Sequence, residues 1–169
     1  MPPNNDEIRF EAIVRDHLDA VLRYAARRVP ERAEDVAAET FVVAWRRLRD
    51  IPGEPRAWLL GISRNLILNE TRGARRRLAL WQKAAHEPTP ANTLLVSTGL
   101  DPELVAAVLA LPASEREALL LIAWDGLTPT QAAEAVGCSR AAFSMRLSRA
   151  RRSVTAALSQ PLPLTQEPT

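Results

Sequence analysis

The feature that most constrains this chain is the segment 127–152, which reads LTPTQAAEAVGCSRAAFSMRLSRARR. Thr128 can cap the N-terminus of a helix, Pro129 fits the first helical position, and Gln131 completes a capping box. Gly137 is typical of the residue that ends a helix with a positive φ, and Ser139 can cap a second helix. Two short helices joined by so tight a turn predict a helix-turn-helix, whose second helix usually enters the major groove of DNA.

The two faces of that second helix differ in chemistry. Phe143, Leu147, Ala150 and Val154 repeat at helical spacing and are predicted to pack inward. The opposite face is small, polar and basic, as contacts to base edges and phosphates require. A charged face exposed only to solvent would show the same pattern, so that alternative stays open. The candidate DNA-contacting residues are Arg140, Ala141, Ser144, Met145, Ser148, Arg149 and Arg152.

Net charge adds little to this argument, because the formal charge of the 169 residues is only +2. The type of basic residue is more informative, since Lys83 is the only lysine and the rest are arginine. Arginine suits bidentate contacts to phosphate and guanine. A GC-rich genome produces the same bias, and composition does not separate the two explanations.

Cysteine and histidine content limits the chemistry of the chain. Cys138 is the lone cysteine, so no internal disulfide can form, and His17 and His86 lie far apart with no cysteine pair near either. No nucleophile–base pair is visible, so we predict no catalytic residue, no metal site and no cofactor. The N-terminus has no signal-peptide pattern, and no run approaches the roughly 18 apolar residues of a membrane span. We therefore expect a cytoplasmic protein that is not an enzyme.

Composition divides the chain into helical and non-helical parts. Residues 6–77 and 101–158 have helical periodicity, whereas 78–100 is nearly uncharged and contains the helix-breaking or turn-forming residues Pro88, Pro90, Asn92, Ser97 and Gly99. The end of the chain, 159–169, is proline-rich and predicted to be disordered. No useful strand alternation is present. We predict an all-α fold of two small helical domains joined by a flexible linker, the C-terminal domain being the helix-turn-helix.

The helix predicted to follow Pro55 carries a second candidate site. Trp58, Asn65, Asn69 and Arg72 fall on one face, beside an apolar stripe of Leu59, Ile62 and Leu66. An aromatic plane, two amides and a guanidinium can stack on, hydrogen-bond to and neutralise single-stranded nucleic acid. A basic run of Arg72, Arg75, Arg76 and Arg77 extends this track. The alternative places Trp58 in the core and the arginines at a solvated helix end.

A third surface lies on the helix predicted over 34–48. Its apolar stripe is Ala37, Phe41, Ala44, Trp45 and Leu48, and a different face combines Asp35, Glu39, Val42 and Arg46. Apolar residues outside one stripe indicate a helix covered on a second side, which favours a protein partner. A mixed-charge face exposed only to solvent explains the pattern equally well.

In the C-terminal half, Ser114 and Glu117 are predicted to form a capping box at the start of another helix.

Three stretches resemble the extracytoplasmic-function (ECF) group of bacterial sigma-70-type sigma factors. They read RRVPERAEDVAAETFVVAWRRL, EPRAWLLGISRNLILNETRGARR and LPASEREALLLIAWDGLTPTQAAEAVGCSRAAFSMRLSRAR. Residues 9–77 are similar to region two and residues 101–158 to region four, in the order and spacing of the family. The resemblance implies a protein that binds core RNA polymerase, delivers it to a promoter and promotes opening of the duplex.

The resemblance also implies roles for the candidate residues. The segment 51–58 is similar to the loop that accepts a flipped base of the −10 element, and Asn65 falls at a base-contacting position. An anti-sigma factor is an expected partner, with no membrane insertion. The implied polymerase-binding residues are Asp35, Glu39, Val42 and Arg46. The implied −10 contacts are Trp58, Arg64, Asn65, Asn69, Arg72, Arg75 and Arg76, and the second helix of the helix-turn-helix is the implied −35 reader.

The chain departs from the family pattern at two points. Ala38 stands where the family often has glutamine before the polymerase-facing Glu39, and Ser144 replaces a frequent base-reading arginine. The second departure leaves −35 specificity open. Two other functions remain as alternatives: a helix-turn-helix regulator that acts without polymerase would leave the Trp58 face unused, and a helical adaptor that binds only protein would leave the arginines of the recognition helix unexplained.

Overall fold

The computed structural model describes residues 4–81 and 99–159, with the side chains of 70–81 left out. Within these ranges the chain forms α-helices and two short 3-10 helices, Pro30–Arg32 and Leu48–Asp50, and no strand. The all-α prediction is confirmed. The N-terminal domain contains α1 (Asn5–Ala26), α2 (Ala33–Arg46) and α3 (Pro55–Trp81), and the C-terminal domain contains α4 (Pro102–Leu109), α5 (Ala113–Ala123), α6 (Pro129–Val136) and α7 (Arg140–Ser159).

Most of the start and stop signals act as the sequence predicts. Thr128 and Gln131 form the capping box of α6, and Gly137 ends that helix with φ 69°. Ser139 Oγ accepts a hydrogen bond of 3.2 Å from the backbone N–H of Ala142 and so caps α7. These caps satisfy backbone groups that a helix end leaves unpaired, and they fix the turn between α6 and α7. The predicted helix-turn-helix is therefore formed.

The predicted capping box of Ser114 and Glu117 is wrong. Helix α5 begins at Ala113, two residues earlier than a Ser114 cap would place it, and has no side-chain cap. The carbonyl of Pro112 accepts hydrogen bonds from the first turn instead. Glu117 is thus free of a capping role, and its carboxylate contacts Tyr24 and Arg64 of the N-terminal domain.

The predicted apolar stripe of α2 needs a correction. Trp45 is 45% exposed, whereas Val36, which was expected off the stripe, is 1% exposed. Helix α2 packs against both α1 and α3, so its buried face is wider than a single stripe and turns toward Val36 and Thr40. Trp45 lies at the margin of this face, with its ring edge-on to Phe10 at 5.0 Å between centroids.

The segment between the domains begins later than predicted. Helix α3 continues to Trp81, so residues 78–81 of the expected linker 78–100 are helical. Residues 82–98 lie outside the described part of the chain, as do residues 160–169 of the expected disordered tail. Among the described helices, none has the combined length and apolar character needed to span a bilayer.

One buried cluster runs through both domains. It joins residues of α1, α2 and α3 to Leu121, Leu127, Ala132 and Phe143 of the C-terminal domain. A smaller cluster inside the C-terminal domain contains Val105, Val108 and Leu120. The principal contact between the domains is the packing of α3 against α6. The two domains are therefore held together by apolar burial as well as by the chain that connects them.

A pair of hydroxyl groups is buried between α2 and α3. Thr40 Oγ1 and Ser63 Oγ are 2.9 Å apart, and both residues are fully buried. Each hydroxyl also lies within hydrogen-bond distance of the carbonyl four residues earlier in its own helix. Because buried hydroxyls need partners, this pair constrains how the two helices face one another.

Candidate nucleic-acid and polymerase interfaces

Helix α7 presents an uncovered basic face. Phe143, Leu147 and Ala150 are buried and Val154 is half-buried, as the periodicity predicts. The predicted DNA-contacting residues point away from this core and are all exposed: Arg140, Ala141, Ser144, Met145, Ser148, Arg149 and Arg152. The Ser139 cap fixes the N-terminal end of the helix, the end with which recognition helices usually meet base edges. This arrangement fits direct contact with a major groove.

Two residues on that face have distinct environments. Met145 is 60% exposed. This is the highest exposure of any large hydrophobic residue in the described part of the chain. Arg149 Nε lies 3.0 Å from Glu115 Oε1 of α5, and the Glu115 side chain is only 13% exposed. Because Glu115 belongs to the same domain as Arg149, the ion pair orients Arg149 without any contact to the N-terminal domain. It does not cover the face, because the Arg149 side chain remains 52% exposed.

The predicted −10 residues on α3 differ in exposure, unlike the predicted contact residues of α7, which are all exposed. Trp58 is half-buried, and the Arg47 guanidinium lies over its ring, 5.4 Å from the centroid. Asn65 and Asn69 are exposed. Arg64 is half-buried and its Nε is 3.2 Å from Glu117 Oε1 of the C-terminal domain. The side chains of Arg72, Arg75 and Arg76 lie outside the described residues, although the helix continues through them.

Part of the α3 face lies against the C-terminal domain. Trp58, Gly61 and Asn65 line one side of a cleft of about 210 Å³, and residues 134–137 at the end of α6 line the other. A Cβ atom placed on Gly61 would lie 3.3 Å from the carbonyl oxygen of Ala135. The absence of a side chain at position 61 therefore allows the two helices to approach this closely.

The α2 face carries the predicted polymerase-binding residues, and all of them are exposed. Arg32 lies 3.5 Å from Asp35 and 3.6 Å from Glu39, in ion pairs that remain well solvated. Arg46 is exposed, and Val42 is 48% exposed. Together with the half-exposed ring of Trp45, Val42 forms an apolar patch edged by charge, which is a common composition for a protein-binding surface.

An interdomain group of charges was not predicted from the sequence. Asp125 is 2% exposed, and its carboxylate pairs with Arg27 and, at 3.4 Å, with Arg28 at the end of α1. Arg56, at the start of α3, donates to the backbone carbonyl of Asp125 at 2.6 Å. Nothing in the local sequence marks Asp125, because an aspartate before a glycine is typical of any turn. We call Asp125, Arg27, Arg28 and Arg56 the interdomain cluster.

A second polar contact lies beside the interdomain cluster. The Tyr24 hydroxyl donates to Glu117 Oε1 at 3.4 Å, and the same oxygen accepts from Arg64. Burial raises the pKa of the Tyr24 hydroxyl far above its usual range, so the group stays protonated and remains a donor. Gly61 is the only sequence signal for this interface, because a glycine inside an apolar helical pattern often marks a close helix contact.

The fold and the exposed faces define a two-domain helical protein of the helix-turn-helix class. Two family models match it: Sigma-70 region 2 over residues 13–77, and Sigma-70, region 4 over residues 102–154. The ECF RNA polymerase sigma factor SigL of Mycobacterium tuberculosis is 30% identical over 158 residues, which cover 89% of each chain. The probable RNA polymerase sigma factor RfaY of Xanthomonas campestris is 37% identical over 134 residues, 72% of this chain but 33% of that protein.

A solved structure agrees with these matches. The sigma factor RpoE, in its complex with the anti-sigma factor NepR from Bartonella quintana, is 26% identical and has a TM-score of 0.67. The likeness covers 89% of this chain and 96% of RpoE. The chain belongs to the ECF group of the sigma-70 family of RNA polymerase sigma factors. It directs RNA polymerase to specific promoters for the initiation of transcription.

Proposed function

We propose that three helices divide this function among three surfaces. The α2 face binds core RNA polymerase, the α3 face reads and holds the −10 element, and the α7 face reads the −35 element. The observation that carries the proposal is the α7 face, where every predicted contact residue is exposed above a buried row of Phe143, Leu147 and Ala150. A recognition helix needs this combination of a fixed core side and an uncovered basic side.

The α3 face suits a base that has left the duplex. Removing one base from the stack costs a few kcal/mol, and stacking on an aromatic ring contributes about 1–3 kcal/mol per base. Trp58 supplies such a ring, and the exposed amides of Asn65 and Asn69 can hydrogen-bond to base edges. In this proposal α3 stabilises the melted promoter, and the chain itself breaks no covalent bond.

The α2 face suits a protein partner because it combines apolar area with carboxylates. Val42 and Trp45 supply exposed apolar surface, and Asp35 and Glu39 flank it. Binding there would place the α3 and α7 surfaces on one large assembly. The second DNA contact then becomes intramolecular, so two weak interactions give strong promoter binding. The polymerisation chemistry belongs to the polymerase, and the chain works in the cytoplasm where that enzyme acts.

An anti-sigma factor is the second proposed partner. RpoE of Bartonella quintana, to which this chain is similar over most of its length, is described in a complex with the anti-sigma factor NepR. A partner of that class would inhibit this chain by covering one or more of the three surfaces. Core polymerase and the anti-sigma factor would then compete for the chain.

Reconstituted transcription with core polymerase tests the proposed function directly. Promoter-specific transcripts should require the chain, and Asp35→Lys should reduce its co-purification with core polymerase by about tenfold through charge reversal on the α2 face. Arg15→Ala, at an exposed position of α1 outside the three surfaces, serves as the control. A helix-turn-helix regulator would bind duplex DNA but start no transcript, and an adaptor would bind protein but no DNA. Either result would overturn the proposal.

A further inference from the structure

We propose that Arg9 and Arg47 determine how strictly the α3 face selects one base of the −10 element. These two arginines lie outside the predicted contact set, and they position the α2–α3 loop (residues 47–54) beside Trp58. Both act as positioning residues, because the contacts that carry the argument are contacts to the protein itself. The inference rests on the function proposed for α3, in which a base that has left the duplex stacks on Trp58.

Apolar burial anchors the first half of the α2–α3 loop. Leu48 and Ile51 are 8% and 5% exposed, whereas Gly53 and Glu54 are exposed to solvent. A Cβ atom placed on Gly53 would meet nothing within 4 Å, so the tip of the loop borders open space. Loop tips of this kind are the more mobile parts of a fold, and their position depends on how the flanking residues are held.

Arg9 of α1 holds the anchored half of the loop through its guanidinium. Nη1 donates to the Leu48 carbonyl at 3.3 Å, and Nη2 donates to the Ile51 carbonyl at 3.0 Å. The guanidinium is planar and its donors are fixed relative to one another, so the two bonds together constrain the direction of both carbonyls. Pro52 follows Ile51 and has a φ fixed by its ring, so the direction set at Ile51 continues into the exposed tip.

Arg47 connects the same loop to the Trp58 ring. Its Nε donates to Asp50 Oδ2 at 3.0 Å, and its guanidinium lies over the ring, 5.4 Å from the centroid. The side chains of Arg47 and Asp50 are 53% and 57% exposed, so solvent weakens their ion pair, and its main effect is on geometry rather than on stability. A cation over the face of an indole favours one orientation of the ring. Displacement of the loop at Asp50 therefore also changes the setting of Trp58.

The loop thus contributes to the surface where the base is proposed to bind, since Arg47, Trp58 and Asn65 line the same cleft. Stacking on Trp58 favours any base, because every base has a π-face. Selection of one base depends instead on hydrogen bonds to its edge, which require donors and acceptors at fixed positions. Loss of the loop position should therefore weaken binding of the preferred base and leave the stacking of the other bases largely intact.

A direct contact between either arginine and a DNA phosphate makes the opposite predictions. Lysine supplies the same charge to a phosphate, but its single nitrogen does not reproduce the fork with which Arg9 holds two carbonyls. A phosphate contact carries no base information, so its loss weakens the binding of all four bases equally. Charge dependence and base preference together distinguish positioning from contact.

Base selection by the reconstituted holoenzyme tests the inference. The probes are fluorescein-labelled single-stranded −10 oligonucleotides that differ in one base, and anisotropy gives their affinities for the full chain assembled with core polymerase. At the position of strongest preference, we expect Arg9→Lys to weaken binding of the preferred base about fivefold, the lower end of what one base-edge contact provides. Binding of the other three bases should stay within about twofold. Arg23→Lys, at an exposed ion-paired position of α1, is the matched control and should leave all four affinities unchanged.

A second pair of variants tests Arg47 at constant charge. Arg47→Gln should reduce the base preference in the same way, because it removes the cation over the Trp58 ring. Arg49→Gln removes the same charge from an exposed position two residues away and should retain the wild-type preference. An equal loss of affinity for all four bases in both glutamine variants would assign the effect to charge and overturn the positioning role.

A spectroscopic measurement on the free chain tests the coupling without DNA. The indole N–H signal of Trp58, assigned in NMR spectra with Trp58→Phe, should shift in Arg47→Gln and also in Arg9→Lys, because the loop connects Arg9 to the ring. Arg23→Lys should leave the signal in place, and Arg49→Gln should shift it less than Arg47→Gln. An unmoved signal in Arg9→Lys would overturn the path from α1 to Trp58.

The outcomes separate the positioning role from the proposed function. A wild-type holoenzyme with no base preference at any −10 position would overturn the function proposed for α3, while the coupling seen in the indole signal would still stand. A wild-type holoenzyme that discriminates among the bases, with Arg9→Lys and Arg47→Gln discriminating equally well, would overturn the positioning role alone.

Discussion

The α7 face and the α3 face contain similar chemistry but differ in what surrounds them. Both combine arginine with small or amide side chains, yet the α7 face is exposed along its whole predicted contact surface, whereas the α3 face borders the C-terminal domain. The Arg149 ion pair forms inside one domain, and the Arg64 ion pair joins two. Residue composition therefore indicates what a surface can bind, and tertiary packing determines when it can bind.

This difference predicts that the two faces respond to different perturbations. Binding of duplex DNA by α7 should depend on the core below that helix. Binding of single-stranded DNA by α3 should depend on the arrangement of the domains. Four substitutions distinguish the dependence of α7 on its own core from the dependence of α3 on domain arrangement, and the largest expected effect is at Phe143.

Truncation of Phe143 should cause the greatest loss. Its side chain is 0% exposed below the α7 face, and Phe143→Ala should reduce the free energy of unfolding by about 3–5 kcal/mol, because it removes buried area and leaves a cavity. Chemical denaturation measures the change. Met145→Ala, on the exposed side of the same helix, should stay within about 0.5 kcal/mol of wild type. Equal losses in both variants would contradict the assignment of faces.

Replacement of Asn65 should affect melting more than initial binding. Asn65→Ala removes an exposed amide on α3, and we expect about a tenfold loss of open-complex formation with little change in closed-complex affinity. Permanganate footprinting of the holoenzyme on promoter DNA measures the melted bases. Asn5→Ala, an exposed amide at the start of α1, is the control. Unchanged melting would remove Asn65 from the proposed −10 site.

Replacement of Arg149 should weaken duplex binding without changing domain arrangement. Arg149→Ala is expected to lower affinity for upstream promoter DNA a few-fold and to reduce the dependence of log affinity on log salt by about one, as the loss of one phosphate contact does. Titrations at several salt concentrations measure both effects. The radius of gyration should not change, since the Glu115 partner lies in the same domain. A variant that becomes more extended would contradict the distinction between the two arginines.

The smallest effect concerns Met145. An exposed apolar side chain on a recognition helix can contact the methyl group of thymine, so replacing thymine with uracil in the −35 element should weaken binding about twofold to threefold. Met145→Ala should remove this sensitivity, whereas Ser153→Ala, at an exposed position later in α7, should retain it. Equal affinity of the wild-type chain for both duplexes would exclude a methyl contact by Met145.

Local signals in the sequence predicted most of the fold. The caps at Thr128, Gly137 and Ser139 and the inward row of α7 were recognisable because their causes lie within a few residues. The error at Ser114 arose because Ser114 and Glu117 have the three-residue spacing of a capping box, whereas the helix begins two residues earlier with Pro112 as its N-cap. Local periodicity thus identified the helices and their general faces, but not every boundary.

The interface between the domains was beyond the reach of local reasoning. Asp125 and Arg27 are separated by 98 positions in sequence, and neither carries a pattern that points to the other. The exposure of Trp45 was likewise mispredicted. The second covered side of α2 was assigned to a partner protein, whereas α1 and α3 of the same chain bury Val36 and leave Trp45 at the margin. Long-range pairings depend on how helices pack, and the one local sign of that arrangement, a glycine at position 61 inside an apolar helical pattern, was not used in the sequence-based prediction.

The buried hydroxyls of Thr40 and Ser63 have a consequence for how two of the proposed contact surfaces are oriented. They join α2, which is proposed to face polymerase, to α3, which is proposed to face the open strand. The orientation of one helix about its axis is thereby tied to the other, wherever the C-terminal domain lies. If these surfaces act as proposed, two small side chains inside the N-terminal domain help to keep the polymerase-facing helix and the strand-facing helix at one fixed rotation.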